Sequence, residues 1–531
     1  MRFIVQSDWG RPSRTGPRAA VLSPDSWDDF GFRTSFDLWF RGADNTRPVE
    51  IGRVKIALLD QEPGPSPLPP GDFADGLPTG LGEWISLGQD GEYYERIAEL
   101  DVQGREILHD LGDIALRGSS PAEERLDALA TSSEVVAVSF LRNISLRTIL
   151  RQYRRINDGG PKHARYDFSY HAPEVPNEIS ARYPLEFEVR PNSVPPSNIH
   201  VLIGPNGVGK TTLLRSIAAA AVHPSDLPGP TGRITYTEDV GFANVLLVTF
   251  SAFDPFTDIV QQRSSTRYTH VGLTTEARHG ETGGRRPAER KGRTELAGEF
   301  LDSLDSIATS GRQDQWVRAL RTLAADAHFD ASVLVGGDVS GETVGPGPFV
   351  SVTRESGSTN GAGRPWRDIF MSLSSGHAIV LLALTRLVDL VGEQTLVLFD
   401  EPEAHLHPPL LSSFVRALSE LLAERNGVAV LATHSPVVLQ EVPRSCVYKI
   451  RRTGGRARRP RTETYGENVG VLTHEIFGLE VMKSGFYAEL EKAVARFETY
   501  EQVLGHFGDQ LGDEAKGLVH ILFADQRAEG R

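Results

Sequence analysis

The segment that most constrains this chain is Gly204-Pro-Asn-Gly-Val-Gly-Lys-Thr-Thr212. An apolar run, IHVLI at Ile199–Ile203, leads straight into it, and the apolar stretch TTLLRSIAAAAV leads out with helical character. The spacing fits G-x-x-x-x-G-K-[ST], the Walker A loop between a strand and a helix. Glycines let successive backbone N–H groups converge on phosphate oxygens at a helix N-terminus. Gly204, Pro205, Asn206, Gly207, Val208, Gly209, Lys210, Thr211 and Thr212 are thus the expected triphosphate-binding residues. Lys210 is expected to reach the β- and γ-phosphates, and Thr211 to ligate Mg²⁺. The bland alternative is a glycine turn that happens to precede a lysine.

Further apolar runs place this loop in a sheet. NVLLVTF at Asn244–Phe250, TLVLFDE at Thr395–Glu401 and GVAVLATHS at Gly427–Ser435 each adjoin a helical stretch. Buried strands alternating with helices imply an α/β fold with a mostly parallel sheet. LEFEVR, from Leu185, alternates like a half-buried strand. Asp400 and Glu401 end an apolar strand, the Walker B arrangement. Asp400 would hold Mg²⁺ through water, while Glu401 would polarise the water attacking the γ-phosphate. Strand ends also carry acids merely to meet solvent, so the order of the motifs carries this reading. Leu373-Ser374-Ser375-Gly376-His377 opens the apolar helix AIVLLALTRLV, and Leu431-Ala-Thr-His434-Ser435-Pro436 follows the next strand. Taken alone, the first is a serine helix cap and the second a structural histidine.

The remaining chain is less specific. At 531 residues it should form two or three units, and 39% hydrophobic with 24% charged residues is near the globular average. FRTSFDLWF and VEIGRVKIALL read as a hairpin over Phe30–Leu59. Helical patterns follow near Asp90–Leu111 and Pro121–Ala130. VVAVSFL at Val135–Leu141 is open between a strand and a buried turn. Leu296–Ala327 has helical spacing and reads as an arm or lid. The single cysteine, Cys446, leaves no basis for a disulfide or cysteine zinc cluster. The expectation is a cytoplasmic protein without signal or membrane span. A formal charge of −14 argues against a whole-surface nucleic-acid binder. Two basic clusters, within 285–293 and 451–461, remain open between DNA or RNA contact and solvated loops balancing an acidic body. His405 and His407 have a metal-like spacing with no accompanying ligand motif.

Together, Gly204–Thr212, the LSSGH segment, FDEPEAHLHP and ATHSP resemble the non-transporter ABC-type ATPases of the RecF, SMC and OLD kind. PPSNIHVLIGPNGVGKTTLL and YGENVGVLTHEIFGLEV are similar to the PtuA ATPases of Septu antiphage systems. The resemblance implies an ABC-type head with a mixed or parallel sheet, helical insertions and a C-terminal helical segment. It implies a homodimer or higher oligomer closing face to face on ATP and Mg²⁺. Ser374 and Gly376, matching the LSGGQ signature with serine and histidine at its third and fifth places, would cap the partner's γ-phosphate. His434 would act as the switch histidine, and Glu403–Pro408 would lie in the D-loop region at the dimer contact. Lys210, Glu401 and His434 are the expected catalytic residues. The magnesium-binding glutamine expected near Ser251-Ala-Phe-Asp254 is missing, and Gln261 and Gln262 come later. Tyr170 and Tyr183 are candidates for adenine stacking or for the core.

The same resemblance divides the chain. Residues 1–60 would complete the head, 61–160 form a helical insertion, and 161–260 carry Walker A. Residues 261–365 would hold a basic insertion and helical arm, 366–450 the signature, Walker B and switch histidine, and 451–531 a docking segment. The implied role is regulation of a separate nuclease, HNH-type in Septu, within an antiphage complex; the alternative is a RecF- or SMC-like DNA-repair ATPase. No DxD follows Pro436, so the OLD nuclease domain is not expected. His474 and Glu475 read as a solvated helix start.

Overall fold

The computed structural model describes residues 1–531 except 14–15, 26, 43–46, 117–122, 143, 145, 161–162, 164, 174–183, 224–230, 238–240, 251–265, 275–289, 311, 324–364, 452–456, 482–484 and 530–531. The N-terminal unit is built on β1 (Phe3–Val5), β2 (Ala19–Pro24), β3 (Ser35–Arg41), β4 (Val49–Leu58), β5 (Gly71–Phe73) and β6 (Trp84–Gly88). These form one sheet in the order β5-β1-β2-β3-β4-β6. The hairpin read from sequence is present as the antiparallel pair β3 and β4. It does not complete the ATPase head. Its inward residues, including Phe36, Leu38, Val54 and Ile56, bury against helices Gly91–Ala98 and Val102–Asp110 in a separate core. Val136–Phe140 is neither strand nor turn but a helical segment, burying Val136 and Phe140 in that core.

The remaining strands are β7 (Tyr166–His171), β8 (Leu185–Val189), β9 (Ile199–Ile203), β10 (Arg233–Tyr236), β11 (Asn244–Thr249), β12 (Arg267–Gly272), β13 (Thr395–Asp400), β14 (Val428–Thr433) and β15 (Val447–Lys449). Six of them make the central sheet, ordered β12-β11-β13-β14-β9-β15, and every pairing is parallel. An all-parallel sheet needs cover on both faces, which explains its continuous apolar strands. Alternate residues divide between the faces. Val397, Phe399, Ala429 and Leu431 bury on one face with helices Ser375–Leu390 and Pro408–Glu424. Leu396, Leu398, Val428 and Val430 bury on the other, with helix Lys210–Val222 and the antiparallel sheet β10-β7-β8.

Helices Arg293–Thr309 and Gln313–Leu323 form no free arm. Phe300, Leu304, Trp316 and Leu320 are buried in the first of these faces. Trp316 is fully buried, edge-on to Trp366, and donates from Nε1 to Thr385 Oγ1 at 2.9 Å. The C-terminal helices Phe486–Arg496, Tyr500–His506 and Asp513–Glu529 gather a small core around Leu490, Val503 and Val519. Among the described residues, no helix is long and apolar enough to cross a membrane.

Candidate ATPase site

Parallel strands in register bring their carboxyl ends to one edge, where open α/β sheets bind ligands. Thr249 pairs with Asp400, Asp400 with Ala432, and Thr433 with Ile203. The loops after β9, β13 and β14 therefore leave the sheet side by side, although they lie far apart in the chain. Gly204, at the mouth of the first loop, has no room for a side chain: a Cβ would come 2.4 Å from the Ile450 carbonyl oxygen. Gly207 and Gly209 have left-handed φ values of 77° and 93°, and a Cβ on either would project into open space. That conformation suits glycine. The result is a backbone concavity closed by the N-terminus of helix Lys210–Val222, for which Gly209 is the N-cap.

Lys210 lies within this concavity, only 5% exposed, donating to Gly204 O at 2.8 Å and Pro205 O at 2.9 Å. Burial pulls its ammonium below the ordinary lysine range, opposed by the negative charges of Glu401, Glu403 and Asp400. Asp400, buried at the end of β13, has its carboxyl pushed up to about 6 by burial, against the lowering effect of a hydrogen bond with Thr211. Its Oδ1 is buried and lacks a hydrogen-bond partner among the described residues. An acidic oxygen left without a donor, beside a threonine hydroxyl, suits a divalent cation. Mg²⁺ takes few protein ligands and keeps phosphate and water for the rest.

Glu401 has φ 49° and ψ 61°, a left-handed conformation unusual outside glycine. Its backbone N–H donates to Ala432 O at 2.8 Å, fixing the turn to the neighbouring strand. Its side chain is 39% exposed, with Oε1 4.0 Å from His434 Nδ1. Glu403, placed by sequence in the D-loop region, turns inward instead. Its side chain is 8% exposed, and its Oε1 lies 3.0 Å from His434 Nδ1. The same oxygen accepts from Thr433 Oγ1 at 2.6 Å and from the His434 N–H at 2.7 Å. Sequence reasoning missed this role. The available signal was a third acid in Asp400-Glu401-Pro402-Glu403, in the turn that follows β13.

The other sequence candidates are distributed differently. Ser374 caps helix Ser375–Leu390, accepting from the His377 N–H at 3.4 Å, with Oγ 2.5 Å from His377 Nδ1. Gly376 packs so closely under the Walker B turn that a Cβ would meet His405 O at 2.6 Å. Among the described residues, no hydrogen bond or ion pair joins Ser374 to the Lys210–His434 cluster. His405 Nε2 is 3.3 Å from the Phe250 carbonyl oxygen, and His407 occupies the N-cap position of helix Pro408–Glu424. Tyr170 is a core residue, 1% exposed and donating to Thr231 O at 2.9 Å, so it offers no face to an adenine. Tyr183, Ser251–Asp254, Gln261 and Gln262 lie outside the described residues, as does most of 285–293. In the second basic cluster, Arg459 is turned inward: it stacks on Tyr448 at 3.5 Å and donates to Glu186 O at 3.0 Å. Glu475 is no solvated helix residue; it pairs with Lys449 at 2.5 Å and accepts from the Arg461 N–H at 2.9 Å.

A family model described as "AAA domain, putative AbiEii toxin, Type IV TA system" matches residues 284–440, the stretch holding β13, Glu401 and His434. Two solved structures give weak likenesses. One is cbiO1 of Clostridium perfringens, part of an ABC transporter complex, at 12% identity, covering 60% of this chain and 96% of that chain with a TM-score of 0.31. The other is a nucleotide-free ATP-binding cassette from an ABC transporter, at 14%, 59%, 96% and 0.28 in the same order. The phosphate loop, the parallel sheet and the AAA match identify a nucleotide-binding ATPase domain. Over the whole length the likeness is stronger: "Protein ea59" of Escherichia phage lambda is 35% identical over 545 residues, covering 100% of this chain and 99% of that protein. The chain therefore belongs to the ea59 family.

Proposed function

We propose that the chain hydrolyses ATP in a head-to-head dimer and uses that cycle to control a separate effector. The observation that carries this reading is the buried Asp400 Oδ1, unpartnered among the described residues and set beside Thr211 at the mouth of the Gly204–Gly209 concavity. Backbone N–H groups of Gly207, Val208 and Gly209, with the Lys210 ammonium, bind the phosphates. Thr211 and Asp400 would hold Mg²⁺, which supplies charge neutralisation between the β- and γ-phosphates. Glu401, strained and more exposed, orients a water for in-line attack and accepts its proton. His434 faces the γ-phosphate. The signature-like turn at Ser374 and Gly376 serves the second copy: it caps its own helix and lies outside the home cluster, which suits capping of a partner's nucleotide.

The effector reading is an antiphage complex whose nuclease is a separate chain, HNH-type if the system is Septu-like. A phage-borne relative and a family model described as a toxin of a type IV toxin–antitoxin system fit a part in phage–host conflict. Glu401→Gln tests the chemistry. It should retain ATP and accumulate as a closed dimer in light scattering, with kcat reduced at least ~100-fold. Wild-type turnover in that variant refutes the assignment. Ser374→Arg should remain a folded monomer that binds ATP but neither dimerises nor turns over.

A further inference from the structure

We infer that Glu403 is a positioning residue that fixes the orientation and proton placement of His434. The inference rests on the ATPase reading above and adds a second acid with a different task. Three polar groups from the end of β14 converge on one Glu403 oxygen: the Thr433 hydroxyl at 2.6 Å, the His434 N–H at 2.7 Å and His434 Nδ1 at 3.0 Å. That oxygen already accepts from two donors, so it faces the ring nitrogen as an acceptor and the nitrogen carries the hydrogen. In the neutral imidazole that leaves Nε2, across the ring, as an acceptor. A second hydrogen-bond partner choosing the tautomer is the usual way an imidazole is prepared for work at its other nitrogen.

Burial separates this acid from Glu401. Glu403 is 8% exposed, while Glu401 is 39% exposed and its nearest oxygen is 4.0 Å from the same ring nitrogen. Glu403 is committed to the histidine, and Glu401 remains available to water. The chain arranges this by bending sharply. The left-handed Glu401 leads into the single turn Pro402–His405, closed by Ala404 N–H to Glu401 O at 3.1 Å, and that turn brings the Glu403 side chain back to β14. The other Glu403 oxygen, Oε2, is buried with no hydrogen-bond partner among the described residues. Keeping a half-satisfied carboxylate there is costly for stability alone. A functional demand on His434 accounts for it.

The test uses the full chain labelled with ¹⁵N-histidine, with His434 assigned by the signal lost in His434→Ala. In the wild type, Nδ1 should carry the hydrogen. In Glu403→Ala the ring should shift toward the Nε2–H form that imidazole favours in water. Glu403→Gln keeps an oxygen for Thr433 and the His434 N–H, so it should melt like the wild type. It should still lose roughly tenfold in kcat with the KM for ATP unchanged, because the charge behind the ring is gone. A wild-type ring protonated at Nε2 overturns the inference, as does wild-type kcat in Glu403→Gln. If the wild type does not hydrolyse ATP, the ATPase reading fails by itself, and the ring tautomer still decides the role of Glu403.

Discussion

At the scale of single residues, the site depends on how closely backbone can approach backbone. The missing side chain of Gly204 lets the Ile450 N–H donate to Ile203 O at 2.7 Å, which holds β9 against the segment after β15. Gly204→Ala should push these apart, costing about 1–3 kcal/mol in urea unfolding and weakening nucleotide binding in parallel. A second prediction concerns the N-terminal unit. Asp113 is 1% exposed, accepts from the Ala115 N–H at 2.9 Å, and has its carboxyl raised by burial to about 7. A folded-state value above the unfolded one means the native state holds a proton that the unfolded chain releases. This contribution should be full below about pH 4, decline as pH rises toward 7, and level off above. Comparing melting of Asp113→Asn and the wild type across pH 4–8 checks it: the amide variant should lack that decline. That Lys210, Asp400 and Glu401 lie at the ends of neighbouring elements was legible in sequence because each ends or follows a continuous apolar strand. The places of Glu403 and Asp113 were not, since partners supplied by the fold define them. His434 reaches Glu403 from the next strand, and Tyr94 reaches Asp113 from a neighbouring helix.

At the scale of elements, strong hydrophobic pattern carried far. β3, β4, β8, β9, β11, β13 and β14 stand where apolar or alternating runs placed them. Patterns failed where two answers share one appearance. Val135–Leu141 is short and almost wholly apolar, so period alone left it between strand and turn; it is helical because it closes the N-terminal core. Helices Arg293–Thr309 and Gln313–Leu323 read as an arm because a polar, basic stretch precedes them, but Phe300 and Trp316 are core residues. Their burial makes a clear prediction. Trp316→Ala removes a fully buried indole and its hydrogen bond to Thr385, and should cost ~3–5 kcal/mol in chemical denaturation. A detachable arm would leave the transition of the ATPase body unchanged.

For the molecule as a whole, the sequence disclosed one centre and concealed another. Walker motifs announce the central sheet, but nothing local announces that the first strands close on themselves around Phe36, Ile56, Tyr93 and Ile107. The two bodies touch through polar contacts such as Arg155 to Glu393 at 2.8 Å and Arg267 to the Arg142 carbonyl at 3.0 Å. With its own core, a fragment of residues 1–160 should unfold cooperatively in circular dichroism, whereas a fragment spanning 1–250 should add no nucleotide affinity. The reason is the place of β9, whose neighbours on both sides are β14 and β15, the last strands of the sheet to be made. During synthesis the phosphate loop leaves the ribosome early, yet it has no frame until those late strands arrive. Long-range closure of this kind comes at the end of folding. Nucleotide capture thus doubles as a completeness check: a prematurely ended message yields a chain with every phosphate-loop residue and no grip on ATP.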